Sequence, residues 1–156
     1  MITIKATTQK HVDFLKDNLR PIDQYECRAM GLEPDEALQL SFQISVITMT
    51  ALVDGKPFCI FGATAASYIN SIGILWLLSS KELDNKKVAI QCGLTSIRCM
   101  RFLLEYFNTL INNVSSNNKQ ALKWLKWLGA EIEESKPMGL KGERFNKITI
   151  KKENVR

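Results

Sequence analysis

Ile2 and Ile4 alternate with polar residues between Met1 and Thr7, which predicts a short first strand, and Thr8 stands where a side chain can cap a helix beginning near Gln9. Val12, Leu15 and Leu19 then form an apolar stripe at helical spacing. Arg20-Pro21 interrupts it, because proline disfavours helical geometry in the residue before it. A second helix is expected from about Ile22 to Met30, ending at Gly31, and a third from Pro34 to about Ile44, with Pro34 suited to the first turn. Ile47 to Val53 reads as a strand, and Asp54-Gly55 as a hairpin turn into a strand from Pro57 to Ala63. After a short excursion around Ala65 to Ser71 comes Ile72 to Leu78, nearly all apolar, as expected of a central strand buried on both faces.

From Asn85 to about Tyr106, Ile90, Leu94, Ile97 and Leu104 recur at helical spacing and predict a long amphipathic helix with these residues on its buried side. Asn108 to Val114 reads as a strand and Ser115 to Asn118 as a polar loop. Lys119 to Leu128 reads as a helix presenting Ala121, Trp124 and Leu128, stopped by Gly129. Trp124 and Trp127 are expected to pack this helix against the sheet and the long helix. Glu131 to Glu133 and Arg144 to Ile150 supply two closing strands around a loop from Gly139 to Gly142. The order β-α-α-α-β-β-β-α-β-α-β-β describes an α+β chain with a mixed, mainly antiparallel sheet. Short hairpins need only tight turns, whereas the helix after Leu78 can return the chain to a parallel neighbour. We expect a single domain over 1–150 and a frayed basic tail over 151–156.

Composition narrows the class. A chain of 156 residues with 46% hydrophobic residues can bury a real core, and its mean hydropathy of −0.08 is that of a water-exposed protein. The longest clean apolar run, Gly73 to Leu78, is too short to span a bilayer, so an intracellular, soluble protein is expected. Cys27, Cys59, Cys92 and Cys99 are scattered without a C-x-x-C pair, and His11 is the one histidine, placed on an early surface helix and expected to face solvent. That arrangement gives no support to a zinc site or a secreted disulfide framework. The net charge of +5 is mild and partly concentrated in Lys147, Lys151, Lys152 and Arg156. It would suit a polyanion, but no nucleic-acid motif accompanies it, and nucleic acid is not the expected partner.

The stretch from Asn118 to Ile132 carries chemistry. Ala121 follows Asn118 by three residues, Leu125 by seven and Gly129-Ala130 by eleven. That spacing resembles the last motif of the GNAT (general N-acetyltransferase) superfamily, N-x-x-A-x-x-x-Y-x-x-x-G-F. The element order is also similar to the GNAT fold over nearly the whole chain. The resemblance implies a parallel, splayed pair formed by Ile72–Leu78 and Asn108–Val114. It also implies acetyl-coenzyme A, or another acyl-coenzyme A, held along Trp76, Leu77, Leu78 and Ser79 beside Asn118. Leu125 stands at the position of the family's tyrosine, and a leucine cannot protonate a leaving thiolate. The following loop, Ser79 to Lys87, has no glycine where the family carries R/Q-x-x-G-x-G/A. A side chain at every position restricts approach of the backbone to a diphosphate. Read from the residues alone, Trp76–Ser79 also suits a core strand, and the loop an ordinary solvated helix start.

A closer resemblance runs through Arg20-Pro-x-Asp23-x-x-Glu26, Ala29-x-Gly31-x-x-Pro34-x-x-Ala37-Leu38, Asp54-Gly55-x-Pro57, Phe61-Gly62 and Trp76-Leu77-Leu78. These motifs are similar to a family of small phage-encoded GNAT-like proteins that includes internal virion protein A of short-tailed phages. Ser79 stands where that family commonly has glycine.

Asp23 and Glu26, three apart, share one helical face on the expected acceptor side. Glu26 is the catalytic candidate, a general base toward an amine if burial raises its pKa. The plainer alternative has Arg20 and Arg28 neutralising an ordinary polar face. Tyr25, Tyr68 and Tyr106 stand outside the motif position. Two functions stay open: an acyl-coenzyme A-dependent N-acyltransferase with degenerate motifs and an amine-bearing acceptor, or a non-catalytic phage protein that binds a virion or host protein. A host-cytoplasmic or virion location would follow.

Overall fold

The computed structural model describes all residues from Met1 to Arg156. Its strands β1 (Ile2–Ala6), β2 (Ile47–Val53), β3 (Lys56–Ser67) and β4 (Ile72–Ser79) form an antiparallel run, β1-β2-β3-β4. Beyond β4 the sheet continues through β5 (Thr109–Ser115) to β8 (Arg144–Lys151), which pairs with the short β6 (Glu131–Ile132) and β7 (Lys136–Pro137). Asp54 and Gly55 both take positive φ, 50° and 80°, as the β2–β3 hairpin requires. The β3 strand runs four residues past the expected Ala63, so the excursion before β4 shrinks to a tight turn. The segment Lys136–Pro137 is a strand that the sequence pattern does not announce.

β4 and β5 are parallel, joined by the helix α4 (Lys86–Leu103). They pair only at Ile72–Thr109, Gly73–Leu110 and Ile74–Ile111, and beyond these residues they separate. Gly73 permits the closed end. A Cβ there would sit 2.5 Å from the Phe107 ring, which leads into β5. The result is a V-shaped cleft in the sheet, open toward Ser79 and Ser115.

Two cores cover the sheet. On one face α1 (Gln9–Leu15) and α3 (Pro34–Ile44) bring Val12, Leu15 and Leu38 against Ile60, Trp76 and Leu78. On the other, α4 and α5 (Lys119–Leu128) pack Met100, Leu103, Leu125 and Leu128 against Phe61, Leu75 and Ile148. Alternation along β4 therefore sends Trp76 and Leu78 to one side and Leu75 and Leu77 to the other. Both faces are covered as expected, although Ile74 is exposed near the turn. The remaining helix, α2 (Pro21–Ala29), begins with proline at its first position and lies against the open end of the cleft.

The face of α4 differs from expectation. Ile90 and Leu94 are 56% and 64% exposed, while Val88, Ser96, Met100 and Leu103 are buried. Of the four expected residues Leu104 is buried and Ile97 packs against the core, while Ile90 and Leu94 face out, so hydrophobicity alone misplaces the first half of the helix. The inward row, roughly 88-92-96-100, includes Cys92 and Ser96. Ser96 is tolerated there because its hydroxyl donates to the Gly93 carbonyl (2.6 Å) and accepts from Trp124 Nε1 (2.8 Å). Trp127 is also displaced from its expected role. It is exposed, with the Arg156 guanidinium 4.8 Å from its ring centroid, whereas Trp124 does pack against α4.

Residues 152–156, expected to fray, form a 3₁₀ turn (Lys152–Asn154) and return to α5, with the Arg156 amide donating to the Leu128 carbonyl at 3.0 Å. Gly129, at φ 109°, ends α5 where the Asn154 carbonyl leaves no room for a side chain. His11 is half-buried rather than solvent-facing. Its Nδ1 accepts the Thr8 amide at 3.2 Å and completes a capping box for α1. No helix is long and apolar enough to cross a membrane.

Candidate active site

The cleft between β4 and β5 encloses a cavity of about 180 Å³. Leu75 and Leu77 from β4, Asn112 and Val114 from β5, Ala121, Trp124 and Leu125 from α5, and Cys92 and Gly93 from α4 line it. Its polar end is built by Arg20, Asp23, Glu26 and Asn118. Most of the lining is apolar, with few polar groups gathered at one end, which is the usual make-up of a small-molecule site.

Glu26 and Asn118 meet there. Asn118 caps α5, its Oδ1 accepting the Ala121 amide at 3.2 Å, and its Nδ2 donates to Glu26 Oε1 at 2.8 Å. Capping thus fixes the amide orientation that meets the carboxylate. Burial raises the Glu26 pKa to about 7, against the pull of the Asn118 donor, while the nearby Asp23 charge pushes it further up. Neither Arg20 nor Arg28 forms an ion pair with Glu26. Arg20 pairs with Asp23 (2.9 Å) and Arg28 with Glu33 (3.5 Å).

The Arg20–Asp23 pair is buried, and each side chain is only 4% exposed. Asp23 accepts the Ser79 amide (2.8 Å) and lies 3.3 Å from the Ser79 hydroxyl, while the Ser79 carbonyl accepts the Arg20 amide (2.9 Å). Burial pushes the Asp23 carboxyl up, and Arg20 and Ser79 pull it down. This knot fastens the start of α2 to the end of β4. It also occupies both backbone groups of Ser79.

The backbone polarity of β4 follows from these bonds. Ser80 donates to Phe58 of β3, whereas the Ser79 groups face the opposite edge. Peptide groups alternate along a strand, so those of Leu77, two residues back, also face the cleft, beyond the last residue paired with β5. Among the expected cofactor-binding residues, Leu77 and Asn118 line the cavity. Trp76 and Leu78 turn their side chains to the other core, with Trp76 Nε1 donating to Ser45 Oγ at 2.7 Å. Arg20, Asp23, Asn112, Gln120, Cys92 and Gly93 complete the site and were not singled out as ligand contacts in the sequence. The clue available for the first two was their shared face with Glu26.

Leu125 lines the cavity at 3% exposure, and no tyrosine does so. Tyr25, Tyr68 and Tyr106 are exposed on the surface. The four cysteines are free and their thiols are all held above the ordinary pKa by burial, including Cys92 at about 11, which leaves little thiolate at neutral pH.

No protein-family model matches the sequence, and no curated protein matches it by sequence. Solved structures do match in shape. A GNAT-family acetyltransferase from Streptococcus pneumoniae superposes with a TM-score of 0.67 at 16% identity, covering 97% of this chain and 99% of its own. Spermidine N-acetyltransferase from Vibrio cholerae, in complex with CoA and spermine, gives 0.71 at 11% identity, covering 98% and 96%. The ribosomal-protein-S18-alanine N-acetyltransferase of Escherichia coli gives 0.65 at 11% identity, covering 97% and 94%. Across nearly its full length, with its antiparallel run, its parallel splayed pair and its flanking helices, this chain has the fold of the GNAT acetyltransferases.

Proposed function

We propose that the protein transfers an acyl group from an acyl-coenzyme A-type thioester to an amine, with Glu26 as the base. The observation that carries this reading is the raised pKa of Glu26, about 7, at the polar end of an otherwise apolar cleft in the sheet. A carboxylate tuned near neutrality can take a proton from an ammonium that an ordinary glutamate would leave charged.

The residues present fit part of such a donor. Leu77 offers its peptide group to an extended arm, and Leu75, Ala121 and Trp124 supply apolar walls. A bound thioester would supply an activated acyl carbon. Asn118 holds Glu26 in place toward the cleft, and Glu26 receives the proton of the attacking amine at its carboxylate. The wall formed by Leu75, Val114 and Leu125 excludes water from the acyl group. Leu125 returns no proton to the thiolate, so that proton comes from solvent or from Glu26, and slow turnover follows.

The likeness of residues 18–80 to small phage-encoded GNAT-like proteins supports a phage origin. It also supports a second reading, a non-catalytic virion or host-protein-binding component, which Leu125 favours. The test is release of free thiol from acetyl-coenzyme A with an amine panel, compared between the natural chain and Glu26→Gln. A slow, amine-dependent release lost in Glu26→Gln supports the transferase. Equal release by both chains, or none above the solvent rate, overturns the role of Glu26.

A further inference from the structure

The apolar cleft and the helix start beyond it differ in what they can hold. A chain emerging from the cavity past Leu83 and Ala89 meets the first turn of α4 and the preceding loop. A helix start binds a diphosphate through free amides. Here Asn85 Oδ1 accepts the Lys87 and Val88 amides at 3.0 and 3.4 Å. The Asn85 amide donates to the Glu82 carbonyl (3.1 Å), Leu83 to the Ser80 carbonyl (3.2 Å) and Glu82 to Ser80 Oγ (3.2 Å). Five amides of the run from Glu82 to Val88 are thus already donated within the protein, and the carboxylates of Glu82 and Asp84 stand among them.

Gln120 closes the same region from α5. Its Nε2 donates to the Leu83 carbonyl (3.2 Å), and its Oε1 accepts from Arg20 Nη1 (2.7 Å), tying α2, α5 and the loop together at the margin of the cavity. The thioester end of a ligand finds apolar walls and a peptide edge. A nucleotide diphosphate finds a helix start already capped by its own side chain.

Building on the transferase reading above, we propose that this site recognises the pantetheine thioester arm alone, and that an attached nucleotide adds nothing to binding. The arm arrives either as a free pantetheine thioester or on a serine of a carrier protein. In the second case Lys81, Lys86 and Lys87, exposed on the loop and helix start that carry the lining residues Leu83 and Ala89, would face an acidic partner.

Calorimetric titration of the full chain with S-acetylpantetheine, acetyl-coenzyme A and an acetylated phosphopantetheinyl carrier protein tests this. The expected result is agreement of the first two dissociation constants within about threefold. Asn85→Gly, which frees the amides of Lys87 and Val88 at a position where glycine is tolerated, is expected to shift the ratio toward acetyl-coenzyme A by tenfold or more. Tighter, salt-sensitive binding of the carrier supports the protein-borne source, and equal binding supports the free thioester. A preference of the natural chain for acetyl-coenzyme A beyond that threefold margin overturns the proposal and leaves the transferase reading standing. An unchanged ratio in Asn85→Gly also overturns it, because capping then is not what excludes the nucleotide. Binding of none of the three overturns this proposal and the transferase reading together.

Discussion

Asn118 donates to Glu26 across 2.8 Å although the two lie 92 positions apart in the chain. The same amide caps α5 through its oxygen, so one side chain links the integrity of a helix to the state of a carboxylate. Asn118→Ala removes both bonds. Losing a cap of this type costs about 1 kcal/mol, and loss of the donor raises the Glu26 pKa above about 7, because that hydrogen bond now favours the charged form. The expected outcome is a lower melting temperature together with an upward shift in the Glu26 titration, read by carboxyl NMR. Unchanged titration in a folded variant would separate the two residues.

Glu26 also sets a pH dependence of stability. Its folded pKa, about 7, lies above the ordinary value of 4.5, so between these limits the folded chain holds a proton that the unfolded chain releases. Stability is therefore greatest on this account below about pH 4.5 and declines as pH rises toward 7, with the full penalty present above it. Glu26→Gln keeps an acceptor for Asn118 and removes the charge. Denaturant melts should show the variant more stable than the natural chain at pH 8, on the order of 2–3 kcal/mol, with the difference shrinking at pH 5. A variant less stable at pH 8 contradicts the burial account.

What the sequence revealed of this site depended on the reach of each signal. The bounds of α3, β2 and α5 were legible because each is marked by local chemistry: Pro34, the Asp54-Gly55 turn, and the Asn118 and Gly129 caps. The spacing of Asp23 and Glu26 likewise put both on one face of α2. Their different fates were not legible, since Asp23 is bound to Ser79, 56 positions away, while Glu26 meets Asn118 from a helix that the sequence could not orient. The buried side of α4 was misread at Ile90 and Leu94 for a related reason. Ser96 becomes an inward residue only once Trp124 is beside it.

The Arg20–Asp23 pair yields a prediction about architecture. Asp23→Ala leaves a buried guanidinium without its carboxylate and the Ser79 amide without its acceptor. Breaking one partner of a buried pair typically costs about 3–5 kcal/mol. Asp23→Asn retains an acceptor and should lose less. Chemical denaturation of both variants checks the order, and equal loss would show that the Ser79 hydrogen bond contributes nothing.

Trp124 and Trp127 should respond unequally to truncation. Trp124 fills the angle between α4 and α5 and donates to Ser96, so Trp124→Ala is expected to cost about 3–5 kcal/mol and to enlarge the cavity it lines. Trp127 is exposed beneath Arg156, where a cation–π contact is worth about 0.5–1 kcal/mol. Thermal melts of the two variants decide this, and comparable losses would mean that the tail anchors more than its contacts suggest.

Leu125 is the residue at which the chemistry can be gained rather than lost. It lines the cavity from α5, with Leu77 and Asn118 among the other lining residues, and its side chain has no proton to give. Leu125→Tyr places a hydroxyl into the cleft, where about 180 Å³ of free space can receive it. Insertion into a packed wall still costs about 1–3 kcal/mol, so a lower melting temperature is expected. General acid catalysis typically contributes about 10²–10⁴-fold. If departure of the thiolate limits turnover, kcat should rise toward the lower part of that range with little change in KM, and the gain should vanish in Leu125→Tyr combined with Glu26→Gln. A folded Leu125→Tyr variant that binds thioester as tightly as the natural chain, yet turns over no faster, would place the limiting step at attack by the amine.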